Sequence, residues 1–161
     1  MRRWPGLLSG ALLGLMPLAA TAEIVSATYA EPTQRYQHGV FGETEEWGAL
    51  AFELSSGQRI ILRLPETRVF EDIAPRLADV DGDGAPEMVV VETDIALGAR
   101  LAIYDEAGFV AATPFIGQTH RWLAPIGAAD LDGDGLVELA YIDRPHLARL
   151  LRVWRFEGGA L

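Results

Sequence analysis

The stretch LADVDGDGAPEMVVVE, residues 77–92, places three aspartates at alternating positions, separates them with glycines and then runs into valines. A second copy of the pattern, AADLDGDGLVELAYID, occupies residues 128–143. Three like charges so close together repel one another, which predicts that a cation lies between them. The β-branched and aromatic runs that follow each acidic loop predict strands.

The spacing of the oxygen donors indicates which cation would suit these loops. Carboxylates at positions 1, 3 and 5 converge because the backbone curls around a centre, and a glycine at position 6 permits the sharp bend. A backbone carbonyl at position 7 and a carboxylate at position 9 complete a ring that suits Ca²⁺ better than Mg²⁺. The predicted ligands are Asp79, Asp81, Asp83, Ala85 and Glu87 in the first loop, and Asp130, Asp132, Asp134, Leu136 and Glu138 in the second.

Other interpretations of the acidic loops fit less well. An Asp-Gly turn explains one dipeptide but not four acids in the same register twice. An EF-hand or dockerin loop needs a glutamate at position 12, where Val90 and Tyr141 stand, and a helix afterwards. A phosphatase of the haloacid dehalogenase type needs a lysine, and the chain has none. The absence of cysteine argues against zinc.

The first residues have the pattern of a secretory signal peptide. Arg2 and Arg3 precede an apolar run over residues 7–20, and Ala20-Thr21-Ala22 is a small-x-small cleavage site. The run is shorter than the roughly 20 residues that a membrane span requires. We therefore predict that residues 1–22 are removed, that the mature chain of residues 23–161 is periplasmic or secreted, and that no membrane span remains.

The charge of the predicted mature chain limits its partners. Of the 13 basic residues, all arginine, the signal peptide removes two, so 11 face 23 acids, a net charge of −12. Such a surface repels nucleic acid and anionic lipid. Half of the residues are apolar, which predicts a globular core.

The pattern repeats along the chain at a coarser level. We predict three repeats, a degenerate one over residues 34–74, a second over 75–124 and an incomplete third over 125–161. In the first repeat His38, Val40 and Gly42 stand where the others have loop aspartates, while Glu46 aligns with Glu87. Short strands with Gly-rich turns predict an all-β fold. The predicted strands are residues 47–54, 58–64, 67–72, 87–92, 99–105, 109–114, 138–143 and 148–154.

The sequences DVDGDGAPEMVVV and DLDGDGLVELAYI resemble FG-GAP or VCBS repeats, the units of integrin-α-like β-propellers. The resemblance implies four-stranded blades, each carrying a calcium loop of the form D-x-D-x-D-G-x-x-[DE]. It implies one ion at Asp79, Asp81, Asp83 and Glu87 and another at Asp130, Asp132, Asp134 and Glu138. Propellers close with four to eight blades, so about three suggest a truncated sequence, or a sheet that another copy or a partner completes.

Together these patterns predict an exported calcium-binding protein that acts as a non-catalytic scaffold for protein interaction or adhesion, with self-association also compatible. No Ser-His-Asp set, phosphate-binding loop or glycosidase-like acid pair is evident, so we expect no enzymatic activity. The alternative is a fragment or accessory domain of an extracellular hydrolase or lectin whose active site is not in this chain.

Some residues outside the loops also invite interpretation. His120, Arg121 and Trp122 form a polar-aromatic cluster that suits a ligand site, although packing between blades is the more usual role of such residues. We expect His146 to be solvated, Trp47, Trp122 and Trp154 to pack between sheets, and Arg149, Arg152 and Arg155 to make cross-strand ion pairs.

Overall fold

The computed structural model describes residues 22–42 and 45–161. Apart from Ala22, the predicted signal peptide lies outside these residues. The described part of the chain contains no helix that is long and apolar enough to cross a membrane. Its regular structure consists of eleven strands, and every pairing between them is antiparallel. The predicted all-β fold is therefore confirmed.

The strands follow one another in chain order as β1 to β11. Their bounds are β1 Ile24–Thr33, β2 Glu46–Leu54, β3 Arg59–Arg63, β4 Arg68–Phe70, β5 Arg76–Ala78, β6 Glu87–Asp94, β7 Gly98–Tyr104, β8 Phe109–Ala112, β9 Leu123–Ala129, β10 Val137–Asp143 and β11 Leu150–Phe156.

The pairing arranges these strands in three layers. The first layer joins β1, β2 and β3, the second joins β5, β6, β7 and β8, and the third joins β9, β10 and β11. The short strand β4 pairs with β6 and also with β2, the latter through Trp47 and Phe70 alone. The first two layers thus form one continuous eight-stranded sheet, while the third is a separate sheet. This open arrangement is consistent with an incomplete propeller, and the predicted repeat boundaries stay a prediction.

Strand β6 is the centre of the molecule because both of its faces are buried. Val89 and Val91 belong to a core shared with Leu139 of the third layer. Met88 and Val90, which alternate with them, belong to a second core shared with residues of β2, including Phe52. A strand that is covered on both faces reads as a continuous apolar run, which explains the sequence MVVV after the first acidic loop.

The predicted strands all form, but β1, β5 and β9 were not predicted. Strand β1 mixes polar and apolar residues next to the predicted cleavage site, and β5 has only three residues. Strand β9 contains Pro125, a residue that usually argues against a strand. Each of the three pairs along a predicted strand, β2, β6 or β10, which supplies the partners that local sequence does not reveal.

Candidate metal centres

The first acidic loop connects β5 to β6 and is held by its own aspartates. The two carboxylate oxygens of Asp79 accept hydrogen bonds from the backbone amides of Gly82, at 2.7 Å, and Gly84, at 3.0 Å. Asp81 accepts one from the amide of Asp83 at 3.1 Å. Because these bonds turn the backbone around the carboxylates, the loop keeps its acids close together although they repel one another.

The second acidic loop, between β9 and β10, repeats the same pattern. Asp130 accepts hydrogen bonds from the amides of Gly133 and Gly135 at 2.6 Å and 2.9 Å. The glycines at position 6, Gly84 and Gly135, have φ angles of 95° and 90°, which confirms the predicted need for glycine there. The two loops share these contacts because they share the positions of their acids and glycines.

The glutamate at position 9 closes each loop from the strand that follows. Glu87 accepts a hydrogen bond from the amide of Val80 at 2.8 Å, and Glu138 accepts one from Leu131 at 2.9 Å. In the degenerate first repeat, Glu46 likewise accepts a hydrogen bond from the amide at position 2. The position-9 glutamate therefore has a structural role that persists where the loop aspartates are lost.

Three carboxylates converge in each loop. One oxygen from each member of the set lies within 4.8 Å of the others, and the sets are Asp79, Asp81 and Glu87 in the first loop and Asp130, Asp132 and Glu138 in the second. The donors are all carboxylate oxygens, the ligands that a hard cation prefers. The two clusters could therefore bind metal ions.

The remaining predicted ligands have other contacts. Asp83 and Asp134, at position 5, lie outside the two sets of three and accept hydrogen bonds from the amides of position 7, at 2.7 Å from Ala85 and 2.9 Å from Leu136. These aspartates therefore shape the loop through position 7, where the sequence predicts a carbonyl ligand. That carbonyl role stays a prediction.

The electrostatics of the first loop favour a cation. Burial, followed by the nearby carboxylates of Asp81, Asp83 and Asp79, raises the pKa of Glu87 to about 6, although the amide of Val80 opposes the shift. In the second loop, hydrogen bonds from the amides of Gly135 and Gly133 lower the pKa of Asp130 below its usual range. Both loops hold carboxylates at close range, and a positive charge between them would relieve their repulsion.

The comparison with protein families identifies the segment that carries the loops. Residues 73–141 match the FG-GAP-like repeat. This segment is an FG-GAP-like repeat. The match includes both acidic loops and runs from just before β5 into β10. Repeats of this family occur in β-propeller-type domains, which often serve protein interaction or adhesion. The chain matches no curated protein and no solved structure.

One arginine distinguishes the second loop of the FG-GAP-like repeat from the first. Arg155 on β11 pairs with Asp132 at 2.5 Å, with Asp134 at 2.9 Å and with Glu138 at 2.7 Å. These carboxylates raise the pKa of Arg155 above its usual range. In the second loop, the guanidinium group of Arg155 therefore supplies positive charge to the carboxylates.

The register of the strands explains why only one loop has this arginine. Trp154 pairs with Leu139, so the next residue, Arg155, lies opposite Glu138. In the second layer Tyr104 pairs with Met88, which places Asp105 at the corresponding position. Asp105 accepts hydrogen bonds from amides of the β7–β8 turn and carries the opposite charge. Sequence repeats alone did not reveal this difference.

The other predicted ion pairs and packing roles have mixed outcomes. Arg152 pairs with Asp143 at 3.4 Å, as predicted for the arginines of β11. Arg149 makes no ion pair with any residue that the structure describes, so the prediction was wrong for it.

The indoles of Trp122 and Trp154 pack against the core between the second and third layers.

The largest difference from the sequence-based expectation concerns the histidines. His146 is exposed, as predicted, but all three histidines, His38, His120 and His146, line one cavity together with Arg121 and other residues. The sequence indicated a possible ligand site at residues 120–122, but no sequence pattern predicted that His38 and His146 lie beside this cluster. This cavity lies at the opposite end of β10 from the second acidic loop.

Proposed function

We propose that this protein is an exported calcium-binding repeat protein that acts as a non-catalytic scaffold for protein interaction. The observation that carries the proposal is the pair of acidic loops with the same spacing of acids and glycines in an FG-GAP-like repeat, each with three convergent carboxylates. Export is supported by the signal-peptide pattern of residues 1–22. Extracellular Ca²⁺ sites often bind with dissociation constants of roughly 10⁻⁴ to 10⁻³ M, which suffices outside the cytoplasm.

The role of the ion in this proposal is structural. In each loop the aspartates at positions 1 and 3 and the glutamate at position 9 would hold Ca²⁺, and the ion would supply positive charge between them. Glu87 and Glu138 are buried at the beginning of β6 and β10, so neutralising their charge would stabilise the packing of these strands. Ion binding and folding are therefore linked.

An interaction role is supported by the exposed edge of the third layer. Strand β11 pairs only with β10 among the described strands, which leaves its outer edge free for another strand. Leu150, Leu151 and Val153 are exposed on it, although apolar side chains of this size are usually buried. An exposed edge of this kind is a template for strand addition by a protein partner.

The first experiment is thermal unfolding of protein expressed from the full sequence, in EGTA and in 10 mM Ca²⁺. If the dissociation constant is about 10⁻⁴ M, one site contributes about 2.7 kcal/mol, which raises the midpoint by about 10 °C. Asp81→Asn combined with Asp132→Asn should abolish the increase, while the exposed Glu53→Gln on β2 should retain it. If the unfolding midpoint of the unaltered chain is the same in EGTA and in Ca²⁺, the proposal is contradicted.

The two loops should differ in affinity because Arg155 competes with the ion at the second loop alone. We expect isothermal titration with Ca²⁺ to resolve two unequal sites, with the weaker site assigned to the second loop by Asp132→Asn. Arg155→Gln should tighten that weaker site by about tenfold, since it removes three opposing ion pairs.

The control for this prediction is Arg152→Gln, which removes the same charge from the same strand but faces Asp143. It should leave both affinities unchanged. Equal tightening by the two variants would mean that only net charge matters, and no tightening by Arg155→Gln would show that the arginine does not compete.

A further inference from the structure

A cavity of about 400 Å³ lies where three loops of different layers meet. Residues 38–40 come from the β1–β2 connection, residues 120–122 from the β8–β9 connection, and residues 144–147 from the β10–β11 turn. Its volume falls within the range of small-molecule sites. Neither the acidic loops nor the FG-GAP-like repeat accounts for it, because seven of the ten described residues that line it lie outside residues 73–141.

The walls of this cavity have a charge opposite to that of the protein. Its ionisable lining residues are His38, His120, His146, Arg121 and Arg144, and none of the described residues that line it is an acid. The whole chain has 23 acids and a formal net charge of −10, so a wall without acids is a local reversal. Such a reversal favours a negatively charged occupant.

Three nearby acids among the described residues, Glu46, Asp143 and Glu71, do not cancel this reversal. Glu46 is buried, and its carboxylate accepts hydrogen bonds from the backbone amides of His38 and Gly39. Asp143 pairs with Arg144 but also with Arg152, so one carboxylate faces two guanidinium groups. Glu71 contacts His38 and lines a smaller neighbouring cavity, which shares Gly39 and Val40 with this one. Among the described residues Arg121 makes no ion pair, and one of its nitrogens donates a hydrogen bond to the carbonyl of His120 at 2.9 Å. Arg121 therefore retains donors for a ligand.

The imidazole of His120 is held in place although the residue is exposed. Its ring stacks on the ring of Tyr36 with centroids 5.0 Å apart, and its backbone amide donates to the Tyr36 hydroxyl at 2.7 Å. Its Nδ1 lies 3.1 Å from the hydroxyl of Thr119. The backbone has a φ of 52°, which is uncommon for any residue other than glycine. Strained backbone that the surroundings enforce is typical of ligand sites.

Glu71 positions two further residues that line the cavity, His38 and Trp122. Its carboxylate bonds to Nδ1 of His38, and its backbone carbonyl accepts a hydrogen bond from the indole of Trp122 at 2.7 Å. The hydroxyl of Thr93 donates to the other carboxylate oxygen at 2.7 Å. Arg144 is fixed by two bonds to Asp143 at 2.8 and 3.0 Å. The polar groups are thus positioned before any ligand arrives, which reduces the entropy cost of binding.

We propose that this cavity binds a small organic carboxylate. Arg121 would form the planar, forked contact that guanidinium groups make with carboxylates, and the histidines would donate further hydrogen bonds. The apolar body of the ligand would lie on Trp122 and on the apolar residues Val40, Pro145 and Leu147 of the lining. A metal site is the weaker interpretation, since the three histidines form no cluster of ligand atoms within 4.8 Å in the described residues.

The test is a titration of ¹⁵N-labelled protein, expressed from the full sequence, with acetate, benzoate and succinate, followed by amide chemical shifts. We expect at least one acid to shift the amides of residues 38–40, 120–122 and 144–147 in a saturable way, with a dissociation constant on the order of 1 mM. Benzamide, the neutral partner of benzoate, should produce no saturable shift there. EGTA should not abolish binding, since the acidic loops are distant.

Two variants test whether the positive charge of Arg121 is responsible for carboxylate binding. Arg121→Gln should weaken carboxylate binding at least tenfold, whereas Arg59→Gln, an equal charge change at an exposed position of β3, should leave it unchanged. No saturable shift with any of the three acids would overturn the proposal, as would equal binding of benzamide and benzoate. Shifts of the same amides by Zn²⁺ alone, without a response to the acids, would identify a metal site instead.

Discussion

Replacing Glu92 with glutamine is expected to reduce the free energy of unfolding by about 3 to 5 kcal/mol. The carboxylate is fully buried on β6, where Arg68 and Arg100 pair with it at 3.0 and 2.9 Å. The hydroxyl of Tyr104 donates to it at 2.6 Å. The variant leaves two guanidinium groups beside a neutral amide, and both arginine side chains are mostly buried and lie over the ring of Phe115. Urea denaturation measures the loss.

The control for this prediction is Glu31→Gln. Glu31 also pairs with an arginine, Arg63, at 2.6 Å, but both side chains are largely exposed. An exposed pair contributes little because water screens the charges, so the loss should be much smaller than at Glu92. Equal losses for the two variants would mean that burial does not determine the energy of these pairs.

Gly98→Ala is expected to cost about 3 kcal/mol, the second large effect. Gly98 has a φ of 78°, where a Cβ carries a penalty of about 1–2 kcal/mol. A Cβ there would also collide with the carbonyl oxygen of Gln118 and lie 2.9 Å from that of Arg121. Overpacking of this kind adds about 1–3 kcal/mol. The variant should also weaken carboxylate binding, because the segment displaced by the new Cβ contains His120 and Arg121, which line the cavity.

Gly57→Ala separates the two causes. Gly57 has nearly the same φ, 81°, but nothing lies within 4 Å of the added Cβ. Its loss in urea denaturation should be about 1–2 kcal/mol, from the backbone conformation alone. If Gly57→Ala lowers the free energy of unfolding as much as Gly98→Ala does, the collision at Gly98 adds nothing, and the backbone around Gly98 must shift to relieve it.

Much of the fold and of the acidic loops could be predicted because the relevant contacts are local. The bonds that shape each loop join residues two to seven positions apart, such as Asp79 to Gly82 and Val80 to Glu87. The spacing of the acids and glycines therefore encodes the loop directly. The continuous apolar run of β6 likewise follows from its position between two cores. Strands β1, β5 and β9 carry weaker local signals and depend on their partners.

The sequence by itself determined the all-β class, the two acidic loops and the FG-GAP-like repeat that contains them. Only the tertiary structure decided that Arg155 enters the second loop, because that contact depends on strand register. It also decided that the three histidines share one cavity. His120, which lines the cavity, is held by Tyr36, a residue 84 positions away along the chain. Contacts at such separations arise from the packing of layers, which no local pattern encodes.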